Sequence, residues 1–130
     1  MKTSTILKKA KSVLIEKGWT KGELARNKYR HKVDPTSPSA VKFCAYGAIH
    51  NVLGAPDADY PNDGVSKVEE VARYLKMVLP EQPRSVEFDP SWFCRPTLDD
   101  YNDSDETTLK DMIVLFNQAI KLAKQDEKAV

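Results

Sequence analysis

The sequence predicts an all-α fold: a compact single-domain bundle of four main helices plus short ones around a central buried helix at about residues 40–53, with at most a small hairpin. Three observations predict it. Apolar residues recur at i, i+3, i+4 spacing in three long stretches. A fourth stretch has no polar residue from Phe43 to Ile49, the mark of a helix buried on all sides. Capping pairs, glycines and prolines bound these stretches, and sustained strand-like alternation is scarce.

The first helix covers 4–17, with Ile6, Leu7, Ala10, Val13 and Leu14 on one face and Lys8, Lys9 and Lys11 away from it. Gly18 is placed to end it. Thr20 and Glu23 have capping-box spacing, which predicts a short helix from Lys21 to Asn27. Trp19 then anchors the corner of a helical hairpin. Residues 26–34 alternate in character. As an extended segment they would set Lys28, Arg30 and Lys32 on one side and Tyr29, His31 and Val33 on the other. Basic residues interleaved with aromatics can hold a phosphate backbone, which makes this the nucleic-acid candidate. The alternative is a solvated loop or a small hairpin. Asp34 to Pro38 closes the segment as a loop.

In the central helix Ser39 is the expected cap, Gly54 the left-handed stop, and Pro56 follows. Ala45, Gly47 and Ala48 are small enough to let another element approach closely. Residues 55–64 are rich in turn formers. Ser66 and Glu69 would cap the next helix, whose stripe is Val68, Val71, Ala72, Leu75, Val78 and Leu79, with Glu69 and Arg73 paired outside and Pro80 as the stop. Four prolines break residues 80–96; Ser85 to Phe88 is a possible strand, and Trp92, Phe93 and Cys94 either tuck under the core or form a contact surface. Thr97 to Asp100 starts a short helical turn with its own capping pattern. Thr108 and Asp111 cap the last helix, Leu109 to about Lys124, with Gln125 to Val130 fraying.

At 130 residues the chain can bury about two-thirds of its unfolded surface and needs no metal or disulfide staple. Two cysteines do not make a disulfide framework. No apolar run reaches the ~20 residues of a membrane span, and Met1 to Lys9 lacks the apolar core of a secretory signal. A cytoplasmic protein with no membrane partner and no cofactor is the expectation. Charge is uneven along the chain. Residues 1–53 carry eleven Lys and Arg against three Asp and Glu, a balance of +8; the remainder carries nine against sixteen, a balance of −7. Either a charged partner is implied, or the two halves lie together and partly neutralise each other.

Chemistry-bearing residues are few. Cys44, early in its helix, is the candidate nucleophile, since helix N–H groups favour a thiolate. His50, six residues on, lies about 120° around and roughly 9 Å along the helix, out of reach as its base. Trp19, Arg26, Tyr101, Asn102 and Asp103 form a second set: a clasp with a buried Arg26–Asp103 ion pair, or a polar pocket with aromatic walls. Asp100, Asn102 and Asp111 fall at ligand positions of an EF-hand-like spacing. Asp105 stands where that loop requires glycine, and Asp111 where it requires glutamate, so a calcium loop is not completed.

Three blocks resemble a family of small bacterial and bacteriophage proteins, domain of unknown function 6197. They are Gly18 to Arg26; Val33-Asp34-Pro35 followed by Ala40 to Ile49; and Tyr101-Asn102-Asp103 followed by Thr108. Phe43, Tyr46 and Tyr101 depart from the family's usual Trp, Leu and Trp. The resemblance spans 6–123, with 55–96 its weakest part. It implies a bacterial or phage origin and a compact cytoplasmic protein, and it attaches no activity. The expectation is a small non-enzymatic protein that binds a host protein. The alternatives are a small-ligand binder or enzyme using Cys44, and a nucleic-acid binder using residues 26–32.

Overall fold

The structure, a computed structural model, describes residues 1–56, 63–80 and 97–129. Among these residues five helices and one two-stranded antiparallel sheet form: α1 (Thr3–Glu16), β1 (Ala25–Arg26), β2 (Lys42–Phe43), α2 (Ala45–Leu53), α3 (Asp63–Met77), α4 (Leu98–Asp103) and α5 (Leu109–Lys128). The fold is mainly α. Helix α1 packs on α2 and α5, and α3 also packs on α2 and α5, so the four long helices close a ring. Inside it lie Ile6, Leu7 and Leu14 of α1, Ile49 of α2, Val71 and Leu75 of α3, and Met112, Leu115 and Phe116 of α5. Each set recurs at helical spacing, so the apolar stripes read from the sequence are the faces that meet.

Helix α2 is the buried member, with Ala45, Gly47, Ala48, Ile49 and His50 all sequestered. It starts later than the predicted 40–53. Cys44, not Ser39, is its cap: the Cys44 Sγ accepts from the Gly47 N–H at 3.3 Å. Residues 40–43 are extended instead, because the Val41 N–H donates to the Arg26 carbonyl and Phe43 pairs with Ala25. The far end is as expected: Gly54, at φ 65°, takes the left-handed cap, and its N–H closes on Asn51 and His50 carbonyls.

The helix predicted for Lys21 to Asn27 does not form. Gly22, at φ +84°, turns the chain out of the helical region, and Ala25 and Arg26 become β1. Thr20 does not cap; its Oγ1 accepts from Arg26 Nε at 3.1 Å. Beyond β1 the chain turns back through a small hairpin, with Arg26 bridged to Lys32, so 26–34 is not one extended segment. Phe43 is flanked by Ala25 on one side and by Trp19 on the other.

Two further boundaries and one side-chain pairing differ from expectation. Helix α3 begins at Asp63, so Ser66 lies inside it, and Glu69 pairs with Lys76 at 2.9 Å, not with Arg73, whose guanidinium lies over the Tyr74 ring. Helix α5 does not fray at Gln125 but runs to Lys128, because its last turns are tied down. Glu127 accepts from both the N–H and the hydroxyl of Ser4, and Asp126 accepts from the Tyr74 hydroxyl at 2.8 Å. Both capping boxes at the other helix starts, Thr97 with Asp100 and Thr108 with Asp111, form as predicted. Of the turn-forming stretch expected at 55–64, residues 63 and 64 belong to α3, and 57–62 lie outside the described residues, as do the strand expected for Ser85 to Phe88 and Trp92, Phe93 and Cys94.

One contact fixes how deeply the extended segment sits against α2. A Cβ on Gly47 would land inside the Leu24 carbonyl, which itself accepts from the Cys44 N–H at 3.1 Å. In an unconstrained helix a Gly→Ala change stabilises by about 1 kcal/mol. Here Gly47→Ala is expected to destabilise by about 3 kcal/mol or more, since backbone and not a flexible side chain must yield. Urea denaturation reads the sign directly, and an unchanged or raised midpoint would refute the close approach.

Candidate functional site

The first residues of α2, the segment from Gly18 to Arg26 and helix α4 meet at one place, and Asn102 joins them. It is 1% exposed. Its Oδ1 accepts from Trp19 Nε1 at 2.8 Å and from the Ala45 N–H at 3.1 Å. Its Nδ2 donates to the Thr20 carbonyl at 3.1 Å and to Asp103 Oδ1 at 3.0 Å. Every donor of the amide is used, and its oxygen accepts twice, so it satisfies one of the orphan N–H groups that a helix start leaves. Asp103 Oδ1 also accepts from the Gly22 N–H at 2.9 Å, and Lys21 Nζ donates to the Ser104 carbonyl at 2.6 Å. Tyr101 stands half-buried against the core on the same short helix.

The sequence-predicted set Trp19, Asn102 and Asp103 is therefore brought together. Arg26 is not part of it. No Arg26–Asp103 ion pair forms, because the guanidinium is spent locally: on Thr20 Oγ1, on the Lys21 carbonyl at 3.0 Å and on the Arg30 carbonyl at 3.1 Å. Those bonds brace the segment on either side of β1.

Beside Asn102 opens a cleft of about 230 Å³, lined by Gly22, Glu23, Leu24, Cys44, Asp99 and Asp103. Burial, then the charges of Asp103 and Asp100, push the Asp99 carboxyl above its ordinary value. Cys44 forms part of the wall. Burial pushes its thiol up from 9.0 to about 12, and the Gly47 N–H bond only partly offsets this; the Asp99 charge raises it further. The cap position thus does not yield a thiolate, since desolvation outweighs the helix N–H groups. Nor is a base at hand on α2. The His50 Nδ1 donates to the Ala55 carbonyl at 2.8 Å, which orients the ring, and His50 stands six residues after Cys44, about 120° around and roughly 9 Å along the helix, out of hydrogen-bond reach of the thiol.

The carboxylates of the calcium-like spacing serve as caps: Asp100 accepts from the Thr97 N–H and Asp111 from the Thr108 N–H. Asn102 is enclosed by protein partners. Among the described residues no group of three or more His, Cys, Asp or Glu is arranged to hold a metal ion, and no helix is long and apolar enough to cross a membrane. Lys28, Arg30 and Lys32 are exposed on the hairpin, not aligned along one strand edge. Sequence reasoning missed Gly22, Glu23, Leu24 and Asp99 as cleft walls. The first three sit in the Gly18 to Arg26 block, but only the turn at Gly22 brings them opposite α4.

The model of one protein family, described as "Family of unknown function (DUF6197)", matches residues 1–122. No curated protein and no solved structure matches the chain.

Two predictions test this site. Asn102→Ala strands the Trp19 and Ala45 N–H groups and the Thr20 carbonyl, each worth ~1–3 kcal/mol when buried without a partner. The expected total loss is about 3 kcal/mol or more, and a double-mutant cycle with Trp19→Phe should show coupling of about 1 kcal/mol; strict additivity would mean the 2.8 Å bond carries no energy. Native Cys44 should resist iodoacetamide at pH 8, with peptide mapping used to separate it from Cys94. Its raised pKa places protons on the folded state, so it contributes stability that is complete below pH 9.0 and lost as pH rises towards about 12. Cys44→Ala should remove that part of the alkaline slope. Rapid native alkylation would overturn the assignment.

Proposed function

The chain belongs to this family of unknown function, and we propose that it works as a non-enzymatic binding protein acting on a protein partner, a host factor in the bacterial or phage setting that the family resemblance implies. One observation carries the reading: the polar groups that a reaction would need are engaged in holding the fold. Cys44 is a buried, protonated cap, His50 holds the Ala55 carbonyl through Nδ1 and lies out of reach of Cys44 along the helix, and all the hydrogen-bonding groups of Asn102 are occupied. A nucleophile without a base within reach does not support covalent catalysis.

Charge supports a partner. Asp99, Asp100, Asp103, Asp105 and Glu106 are exposed on and just after α4. Among the described residues the ion pairs are Lys32–Glu23, Lys67–Glu70 and Lys76–Glu69, each within one half of the chain. None of these three pairs joins the two halves, and the acidic surface on α4 suits a basic protein patch by complementarity. A second reading rests on the cleft: its volume and its Glu23, Asp99 and Asp103 carboxylates suit a small cationic ligand.

The test is an affinity pull-down of tagged protein from bacterial lysate with and without nuclease, followed by re-binding of the purified partner. A partner that binds at equal stoichiometry after nuclease, and binds Cys44→Ser equally well, is the expected result. Loss of binding or activity in Cys44→Ser at unchanged melting temperature would favour the enzyme reading instead. No partner, together with a thermal shift by small amines, would move the function to the cleft.

A further inference from the structure

We propose that the hairpin at 26–32 and the strand beside it form a binding surface for single-stranded nucleic acid, independent of the protein-partner reading above. The first observation is register. Arg26 pairs with Lys42 on one side and is bridged to Lys32 on the other. Residues paired across strands project to the same face, so Lys32, Arg26 and Lys42 form a row of like charges on adjacent strand segments. The opposite face takes Ala25 and Phe43 into the core, both fully buried. Like charges directly opposite one another destabilise a sheet. Among the described residues, Lys32 is the member of the row that meets a carboxylate, Glu23, at 3.9 Å and two-thirds exposed.

The second observation is the hairpin tip, which is held rigid while its side chains are offered to solvent. Asn27 Oδ1 accepts from the Tyr29 N–H at 2.9 Å and the His31 N–H at 3.0 Å, and the Arg30 N–H donates to the Asn27 carbonyl. Arg30 sits at φ 68°, a left-handed conformation unusual for a side chain of its size, and Arg26 Nη1 clamps its carbonyl. Tyr29 is 66% exposed, with the Lys28 ammonium 5.0 Å from its ring centre and the His31 ring tilted beside it. An exposed aromatic face beside a line of cations is what a single strand requires: stacking for a base and counter-charge for its phosphates. A duplex hides its base faces and would use the cations alone.

Fluorescence anisotropy of the full chain with a labelled oligonucleotide of about 20 nucleotides tests this. Binding is expected at low salt, weakening with log salt at about −0.7 per phosphate contacted. Removing charge without reversing it, by Lys28→Gln, Arg30→Asn and Lys42→Gln together, should weaken binding at least tenfold and reduce the slope by about 2. Asparagine tolerates the left-handed position, so the tip should keep its shape. Lys42→Gln alone, outside the tip, carries the test if the triple variant melts early; its expected loss is about threefold. Tyr29→Ala should cost about tenfold for the single strand and leave a duplex of the same length unaffected. Absence of binding at low salt, or wild-type affinity in the charge variants, overturns the proposal. So does equal affinity for polyglutamate, which would make this an acidic-protein surface. Indifference to Tyr29→Ala overturns the single-strand assignment.

Discussion

The structure depends on one backbone-to-backbone contact, Gly47 of α2 against the Leu24 carbonyl. Any side chain at 47 would hold the segment from Gly18 to Arg26 away from the helix. With the gap closed, the Leu24 carbonyl reaches the Cys44 N–H, and Phe43 can accept from Thr20 while donating to Gly18. That arrangement leaves one space at the start of α2, filled by Asn102 from a helix about sixty residues further on. A small residue therefore sets a distance, the distance sets the strand pairing, and the pairing creates the socket that recruits α4. Each step replaces backbone hydration with a protein hydrogen bond, which is neutral to modestly favourable when satisfied and costly when broken.

What was legible in the sequence follows from how local each signal is. The capping boxes at Thr97 and Thr108 and the left-handed Gly54 formed as read, because cap geometry involves residues within one turn of each other. The stripes of α1, α3 and α5 were legible for the same reason. The misreadings fall where pairing is non-local. Thr20 and Glu23 have capping-box spacing, but Gly22 turns the chain, and Ala25 and Arg26 are claimed by a partner strand some seventeen residues away. Two-residue strands carry no periodicity to detect. The start of α2 was misplaced for the same cause: residues 40–43 have helical partners in sequence and strand partners in space.

The candidate site was half legible. Trp19, Asn102 and Asp103 belong together because a buried indole N–H and a buried amide both need partners, and few polar residues are available to supply them. Arg26 was misassigned because an arginine beside an aspartate in sequence logic suggests an ion pair. Three neutral oxygens close to the guanidinium were easier to reach, and among the described residues no carboxylate pairs with it. Cys44 shows the same competition inside one residue. Its position at the helix start favours a thiolate, its burial favours a thiol, and the burial dominates.

The segment that defines the fold also carries a cationic surface, and the two facts have one origin. Strand alternation sends Ala25 and Phe43 inward, so Arg26 and Lys42 must face outward together. The inward pair cannot change without loss of core. The guanidinium of Arg26 is used in bracing the segment, but nothing in the packing requires Lys42, or Lys32 beside it, to be cationic; neutral residues at 32 and 42 would relieve the repulsion. The hairpin likewise keeps Arg30 at a positive φ, where glycine or asparagine would fit with less strain. These choices lower stability slightly and concentrate charge on a rigid edge next to an exposed ring. A surface that folding alone would not select is the part of this molecule where physical reasoning points past stability to recognition.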